Sequence, residues 1–188
     1  MFFRICHSVN DLMTDFEGKW CIAGGWAIDL YLDKETRTHG DIEILVFRED
    51  QEILKNHLKE WEISKVEEGK SSAWKHDRLE LPVHELHAIH RVTGHKLEIL
   101  LNEKDADNWL FRRNTRIKKP LSEIINFSKS GVPYLRPEIV LLYKAKLKGS
   151  KDNHDFNEAI IVMDDKKKKW LKDALNIHLP NHDWLNNL

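Results

Sequence analysis

Cysteine is scarce, long apolar runs are missing and neither sign of charge prevails in this 188-residue chain. The two cysteines, Cys6 and Cys21, have no C-x-x-C spacing, which excludes a disulfide framework and a thiolate zinc or redox site; reduced thiols suit a cytosolic protein. Lys and Arg number 30 against 31 Asp and Glu, so no bulk positive field recruits nucleic acid or an anionic membrane, and any polyanion has to be held locally. No stretch approaches the roughly 20 apolar residues of a membrane span. The amino-terminal run MFFRICHSVND is broken by Arg4, His7 and Asn10, so a soluble, unprocessed, cytoplasmic protein is expected. Neither repeats nor low-complexity segments occur. What is present, 41% hydrophobic and 32% charged residues, suffices for one globular core or an α/β core with a helical extension.

Val9, Leu12, Met13 and Phe16 recur at helical spacing, with Ser8 placed as an N-cap and Gly18 as a stop. Residues 20–23 read as a short buried strand that ends at Gly24-Gly25, and residues 26–32 as a helix, which puts the glycine pair at a strand-to-helix turn. The segment DIEILVF, 41–47, is rich in strand formers; Ile53, Leu54, His57, Leu58 and Trp61 mark a helix after it. Between Ile63 and Leu101 lie several candidate strands, of which HKLEILL, 95–101, is the clearest. From Pro137 the pattern turns helical: PEIVLLYKAKLKG opens on proline and closes on glycine, and stretches near 152–163 and 167–177 follow. The lysines at 166–169, after Asp164-Asp165, read as a solvated helix start.

Asp41 and Glu43, two apart on a predicted strand, share one face, while Ile42 and Ile44 take the other. Two carboxylates held close repel unless a cation lies between them, and Mg²⁺ favours a few carboxylate oxygens with water and substrate phosphates. A solvent-facing strand edge would look the same. Gly24-Gly25 lets backbone approach a phosphate at the N-terminus of a helix, although an ordinary tight turn has the same composition. Glu98, between Leu97 and Ile99 on a strand that could pair beside 41–47, offers a third carboxylate, as metal ligand, general base or both, or as a half-exposed strand residue.

The segment CIAGGWAIDLYLDKETRTHGDIEILV, 21–46, resembles the small antibiotic-modifying branch of the nucleotidyltransferase superfamily that includes DNA polymerase β. It carries that branch's Gly-Gly-Trp, Thr-Arg-x-His and Asp-hydrophobic-acid pattern, and the spacing from Gly25 to Asp41 is similar to that of aminoglycoside 2″-adenylyltransferases and lincosamide nucleotidyltransferases. Residues 131–146 and KDNHDF, 151–156, look like the branch's helical portion with its Lys-Asp-x-x-Asp element. The resemblance implies a mixed sheet with helices mainly on one face over residues 1–130 and a C-terminal helical portion over 131–188. It implies Asp41, Glu43 and Glu98 as catalytic and metal-binding acids holding two Mg²⁺ ions, with Gly24 and Gly25 cradling a nucleoside triphosphate. Glu43 and Glu98 stand where aspartates are common; a glutamate binds the same metal with longer reach. The implied reaction places a nucleotide, AMP from ATP, on a hydroxyl of a small molecule such as an aminoglycoside or lincosamide antibiotic. Nucleotidylation of tRNA or protein, as in toxin-like relatives, and a non-catalytic nucleotide-binding module are the alternatives.

Arg37, on the loop before the metal strand, could meet phosphate or position the acids, and Lys144 and Lys151 are further candidates for phosphate contact. His84, His87 and His90 do not share one face of any regular element, and H-E-L-H falls one residue short of a zinc motif. Trp26, Trp61, Trp74 and Trp109 read as core or rim residues. The most basic stretch, FRRNTRIKK at 111–119, reads first as solvated surface and second as a contact for the acceptor or triphosphate.

Overall fold

The computed structural model describes residues 3–147 and 149–188. Met1 and Phe2 of the amino-terminal run and Lys148 of the segment after Pro137 lie outside them. Helix α1 (Arg4–Leu12) precedes strand β1 (Trp20–Ile22), helix α2 (Gly24–Leu32) and strand β2 (Glu43–Phe47). Helix α3 (Gln51–His57) leads into β3 (Trp61–Glu67), β4 (Lys70–Ala73), β5 (Glu85–His90), β6 (Lys96–Asp105), β7 (Asn108–Leu110), β8 (Lys118–Pro120), β9 (Ile125–Phe127) and β10 (Pro133–Leu135). Three helices close the chain: α4 (Pro137–Lys144), α5 (Ser150–Val162) and α6 (Asp165–His178).

The strands form one mixed sheet in the order β4-β3-β5-β6-β2-β1-β10-β9, with β7 and β8 branching from the far end of β6. β2 and β6 run parallel at its centre. Parallel central strands are covered on both sides and therefore read as apolar runs. Ile44, Val46, Ile99 and Leu101 fill one face completely, and the opposite face carries Glu43 and Glu98 followed by Leu45 and Leu100. Strand β10 extends this sheet to Leu135, and the helical portion starts at Pro137.

Helix α4 is apolar on nearly every side because it lies in the middle of the molecule, packed on α2, α5 and α6, with Ile139 to Leu142 buried. Its proline stands at the first turn, where a missing N–H costs nothing. Asp164 caps α6 by accepting from the Lys167 backbone N–H at 2.9 Å, in keeping with a solvated helix start. Cys6 and Cys21 are free and buried.

Four local expectations shift. Helix α1 ends at Leu12, which leaves Phe16 and Gly18 beyond it, so Gly18 is not its stop. α1 begins before Ser8, whose hydroxyl donates to the Arg4 carbonyl at 3.1 Å inside the helix instead of capping it. Trp61 opens β3 and does not extend α3, since it pairs with His90 across the sheet. Asp41 and Ile42 precede the first assigned residue of β2, although the Ile42 carbonyl still accepts from the Glu98 N–H at 2.9 Å and keeps the segment beside β6.

Candidate active site

Glu43 stands directly across from Glu98, and Glu98 across from His87, so the three side chains form a row on one face of β2, β6 and β5. Asp41 at the mouth of β2 and Glu85, two residues before His87, add further carboxylates to that face. Burial and then the charge of Asp41 push Glu43 up to about 7, with Glu98 and Glu85 adding to the effect and Lys144 opposing it. Burial and Asp41 also raise Glu98 above the ordinary carboxylate value. Like charges separate where they can: Glu98 leans toward His87 Nε2 at 3.9 Å, and His87 is within 2.8 Å of Glu85. Among the described residues, the ligand atoms that already lie within 4.8 Å of one another belong to Glu85, His87 and Glu98. The sequence brings Asp41, Glu43 and Glu98 to one row; Glu85 and His87 join it by strand register alone.

Gly24 begins α2 with a φ of +58°, a conformation that suits glycine, and a Cβ there would stand 1.5 Å from Glu43 Oε2. A Cβ on Gly25 would meet Arg37 Nη2 at 2.3 Å and the His39 ring at 2.6 Å. Both glycines are therefore needed for the acids and the basic loop to close over the start of α2.

That loop is tied down by an acid inside the helix that precedes it. Asp29, fully buried on α2, contacts His39 Nε2 at 2.6 Å and accepts from the Thr36 hydroxyl at 2.6 Å. His39 packs on Trp26 with ring centroids 4.4 Å apart, and Trp26 Nε1 donates to the Asp41 carbonyl at 3.0 Å. The loop between them is thereby fixed at both ends, with Arg37 reaching across to α5. Its guanidinium makes two bonds to Asp155, Nε to Oδ1 at 2.7 Å and Nη2 to Oδ2 at 2.9 Å. Lys144, at the end of α4, is 2.9 Å from the same Asp155 and 3.0 Å from Asp152. Burial would raise Asp155, but Arg37 and Lys144 outweigh it and hold the carboxyl below the ordinary range. Burial would likewise lower Lys144, and Asp155 and Asp152 reverse that. Asp152 and Asp155, the acids of the Lys-Asp-x-x-Asp element, thus fasten two basic residues in place. Lys151 beside them is exposed, with no such pair among the described residues.

Two cavities meet at Glu43, Lys144 and Leu147. One, of about 430 Å³, is bounded by Gly25, Arg37, Asp41 and Lys151. The other, of about 310 Å³, runs along the sheet face past Leu45, Leu100 and Asn102 to Arg112, Arg113 and Tyr143. The basic stretch 111–119 is divided accordingly: Arg112 and Arg113 face the cavity, Lys119 is buried against Glu138 at 3.1 Å, and Arg116 and Lys118 are exposed. His84 lines this cavity too, while His90 packs edge-on against Trp61 at 5.2 Å. Trp109 is wholly buried and donates to Asn102 at 2.9 Å, and Trp74 is buried near Lys55.

Asp29 leaves a trace in the sequence, as the one acid inside the apolar helix run GGWAIDLYL. Its partners Thr36 and His39 stand in the Thr-Arg-x-His pattern, but their pairing with Asp29 has no local signal, because it forms only when the loop folds back. The Arg37–Asp155 pair joins residues 118 apart and has no local signature.

A mixed sheet carrying acids on adjacent central strands, opposite a glycine-opened helix start, defines a nucleotidyltransferase-type protein. The profile of the aminoglycoside-2″-adenylyltransferase family matches residues 5–134, and the chain belongs to that family. It is a nucleotidyltransferase of the antibiotic-modifying branch. The fold is similar to that of ANT(2″)-Ia in complex with adenylyl-2″-tobramycin, with a TM-score of 0.64 at 12% identity, covering 93% of this chain and 97% of that one. A solution structure of the antibiotic-resistance factor ANT(2″)-Ia gives 0.61 at 14% identity over 93% and 90%. The lincosamide antibiotic adenylyltransferase LnuA, lincomycin-bound, gives 0.59 at 17% identity over 85% and 96%. Curated protein sequences yield no match. No helix among the described residues is long and apolar enough to cross a membrane.

Proposed function

We propose that this protein transfers AMP from ATP to a hydroxyl group of a small molecule, in a Mg²⁺-dependent reaction at the junction of the two cavities. The observation that carries this reading is the crowding of Asp41, Glu43 and Glu98 beside the opened start of α2, with Glu43 pushed up to about 7 by burial and by its acidic neighbours. An all-oxygen set of this kind suits Mg²⁺, and Asp41, Glu43 and Glu98 would hold the two ions that such enzymes use. When bound, the metal compensates charge on the triphosphate and on the reacting oxygens.

The rest of the chemistry belongs to the chain. Gly24 and Gly25 let Glu43, Arg37 and His39 close against the start of α2, so that phosphate oxygens would meet the metal-binding acid and the guanidinium at the N-terminal end of that helix. Arg37, Lys144 and Lys151 face the same cavity and supply positive charge, the first two from positions fixed by Asp155. The acceptor hydroxyl attacks the α-phosphorus in line; its new O–P bond forms as the bond to the β-phosphate bridging oxygen breaks, and pyrophosphate leaves. Glu98 takes the hydroxyl proton, a role that suits a carboxylate raised above its ordinary value. Family membership supports an acceptor of antibiotic size, and the tobramycin and lincomycin named with the relatives are of that class. The reading places the enzyme in the cytoplasm, where ATP and Mg²⁺ are at hand.

Mass spectrometry of hydroxyl-bearing compounds after incubation with ATP and Mg²⁺, alongside a pyrophosphate assay, tests the proposal. Addition of AMP with one pyrophosphate released, abolished by EDTA, is the expected result. Transfer that persists unchanged in EDTA or in Asp41→Asn contradicts it.

A further inference from the structure

Arg112 and Arg113 lie half-buried between β7 and β8 and line the sheet-side cavity. Neither forms an ion pair with a described residue. The carboxylates within electrostatic reach of Arg112 are engaged elsewhere: Glu85 with His87 at 2.8 Å, and Glu103 with Arg48 Nε at 2.7 Å. Both guanidiniums lie over the Tyr143 ring, 5.7 and 5.4 Å from its centroid, and Arg113 Nη1 donates to the Tyr143 carbonyl at 2.8 Å. These contacts fix the pair without neutralising it, because an arginine stays charged under all ordinary conditions. Burial pulls both below the usual guanidinium value, and for Arg113 the charge of Arg112 adds to the effect, so an anion placed here would relieve a cost already present.

The other cavity has the features a triphosphate needs, which leaves the arginine pair to the second reactant. A guanidinium with free donors recognises a carboxylate or phosphate by two parallel hydrogen bonds. We propose that the acceptor carries a phosphate or carboxylate seated on Arg112 and Arg113, with its hydroxyl toward Glu43, and that an anionic hydroxyl compound is preferred to a polycationic aminoglycoside. The inference rests on the nucleotidyl-transfer reading and names the substrate class for that same site. An aminoglycoside would bring its ammonium groups against two like charges. Leu45, Leu100 and Tyr143 confine the cavity to about 310 Å³, which suits a small molecule and not a polymer.

Calorimetric titration tests it. Glucose 6-phosphate, gluconate, glucose, tobramycin and a short single-stranded RNA are titrated into the protein saturated with a non-hydrolysable ATP analogue and Mg²⁺. The same titrations follow with Arg112→Gln and Arg113→Gln. The better-bound anion, which distinguishes phosphate from carboxylate, is expected to bind at least about tenfold more tightly than glucose or tobramycin. Each variant should lose about that factor while still binding the ATP analogue. Competition by inorganic phosphate in the wild-type protein gives a readout that needs no variant. Tobramycin binding as tightly as the anions, no anion binding at millimolar concentration, anion binding indifferent to both variants, or RNA binding more tightly through the same arginines would overturn the proposal. Failure of the wild type to bind the ATP analogue would instead refute the nucleotidyl-transfer reading.

Discussion

On the helix side of Glu43 the charges interlock: Asp155 is clasped between Arg37 and Lys144, Asp152 shares Lys144, and Asp29 holds Thr36 and His39. On the sheet side the contacts are looser, with Arg112 and Arg113 free of ion partners among the described residues and with Glu85, His87 and Glu98 grouped but half-exposed. The first arrangement is pinned by ion pairs within the chain, which fits the triphosphate site proposed for it. The second leaves two cationic charges without an ion partner among the described residues, and the acceptor proposed for that cavity would answer them.

The largest effect should come from the acids where the two sides meet. Asp41→Asn is expected to lower kcat/KM by about a thousandfold or more, on the order of 4 kcal/mol, with the fold retained by circular dichroism. A smaller loss would mean that the junction of the cavities is not where transfer occurs.

Asp155→Asn breaks the interlocked side by leaving Arg37 and Lys144 facing each other. Breaking such a pair should cost about 3 kcal/mol of stability at neutral pH, measured by denaturant unfolding, and should weaken ATP binding. The carboxyl is held below its ordinary 3.8, so the folded state binds its proton less readily than the unfolded chain does. Its contribution is complete above that value and is lost as the pH falls through the folded value, so wild type and variant should converge in acid. A gap that persists there would mean that the acid acts through packing alone.

Glu43 has the opposite sign. Raised from 4.5 to about 7, it binds its proton more tightly in the folded state, and stability falls as the pH climbs between those values. Glu43→Gln should therefore be inactive yet more stable than wild type by on the order of 3 kcal/mol at pH 8, with no advantage near pH 4. Mg²⁺ should narrow the difference by stabilising only the wild type, as thermal melts can show. The smallest effect is expected from Trp26→Phe, which removes the hydrogen bond to the Asp41 carbonyl: about 1 kcal/mol of stability and a modest fall in kcat with KM for ATP little changed.

Much of this contrast was legible in the chain, for local reasons. A buried parallel strand must be an apolar run, so residues 41–47 and 95–101 stood out, and their three acids, Asp41, Glu43 and Glu98, stood out against them. The proline opening α4 and the glycine pair opening α2 are likewise local signals. Other features depend on meetings far along the chain. Arg37 showed as a loop residue of the Thr-Arg-x-His pattern that could meet phosphate or position the acids, and its attachment to Asp155 needs α5 to pack on α2. Glu85 and His87 reach the acidic row through the register of β5 on β6, which no single segment encodes. The stretch 111–119 looked uniformly basic; only folding separates the two arginines on the cavity from the lysine buried against Glu138.

Calorimetric binding of a non-hydrolysable ATP analogue to wild type and to Asp41→Asn, each with and without Mg²⁺, tests the nucleotide site most directly. Wild-type binding that requires Mg²⁺ and is weakened at least about tenfold in the variant is the predicted result. Absence of binding by the wild type, or binding indifferent to both Mg²⁺ and Asp41, would contradict the assignment.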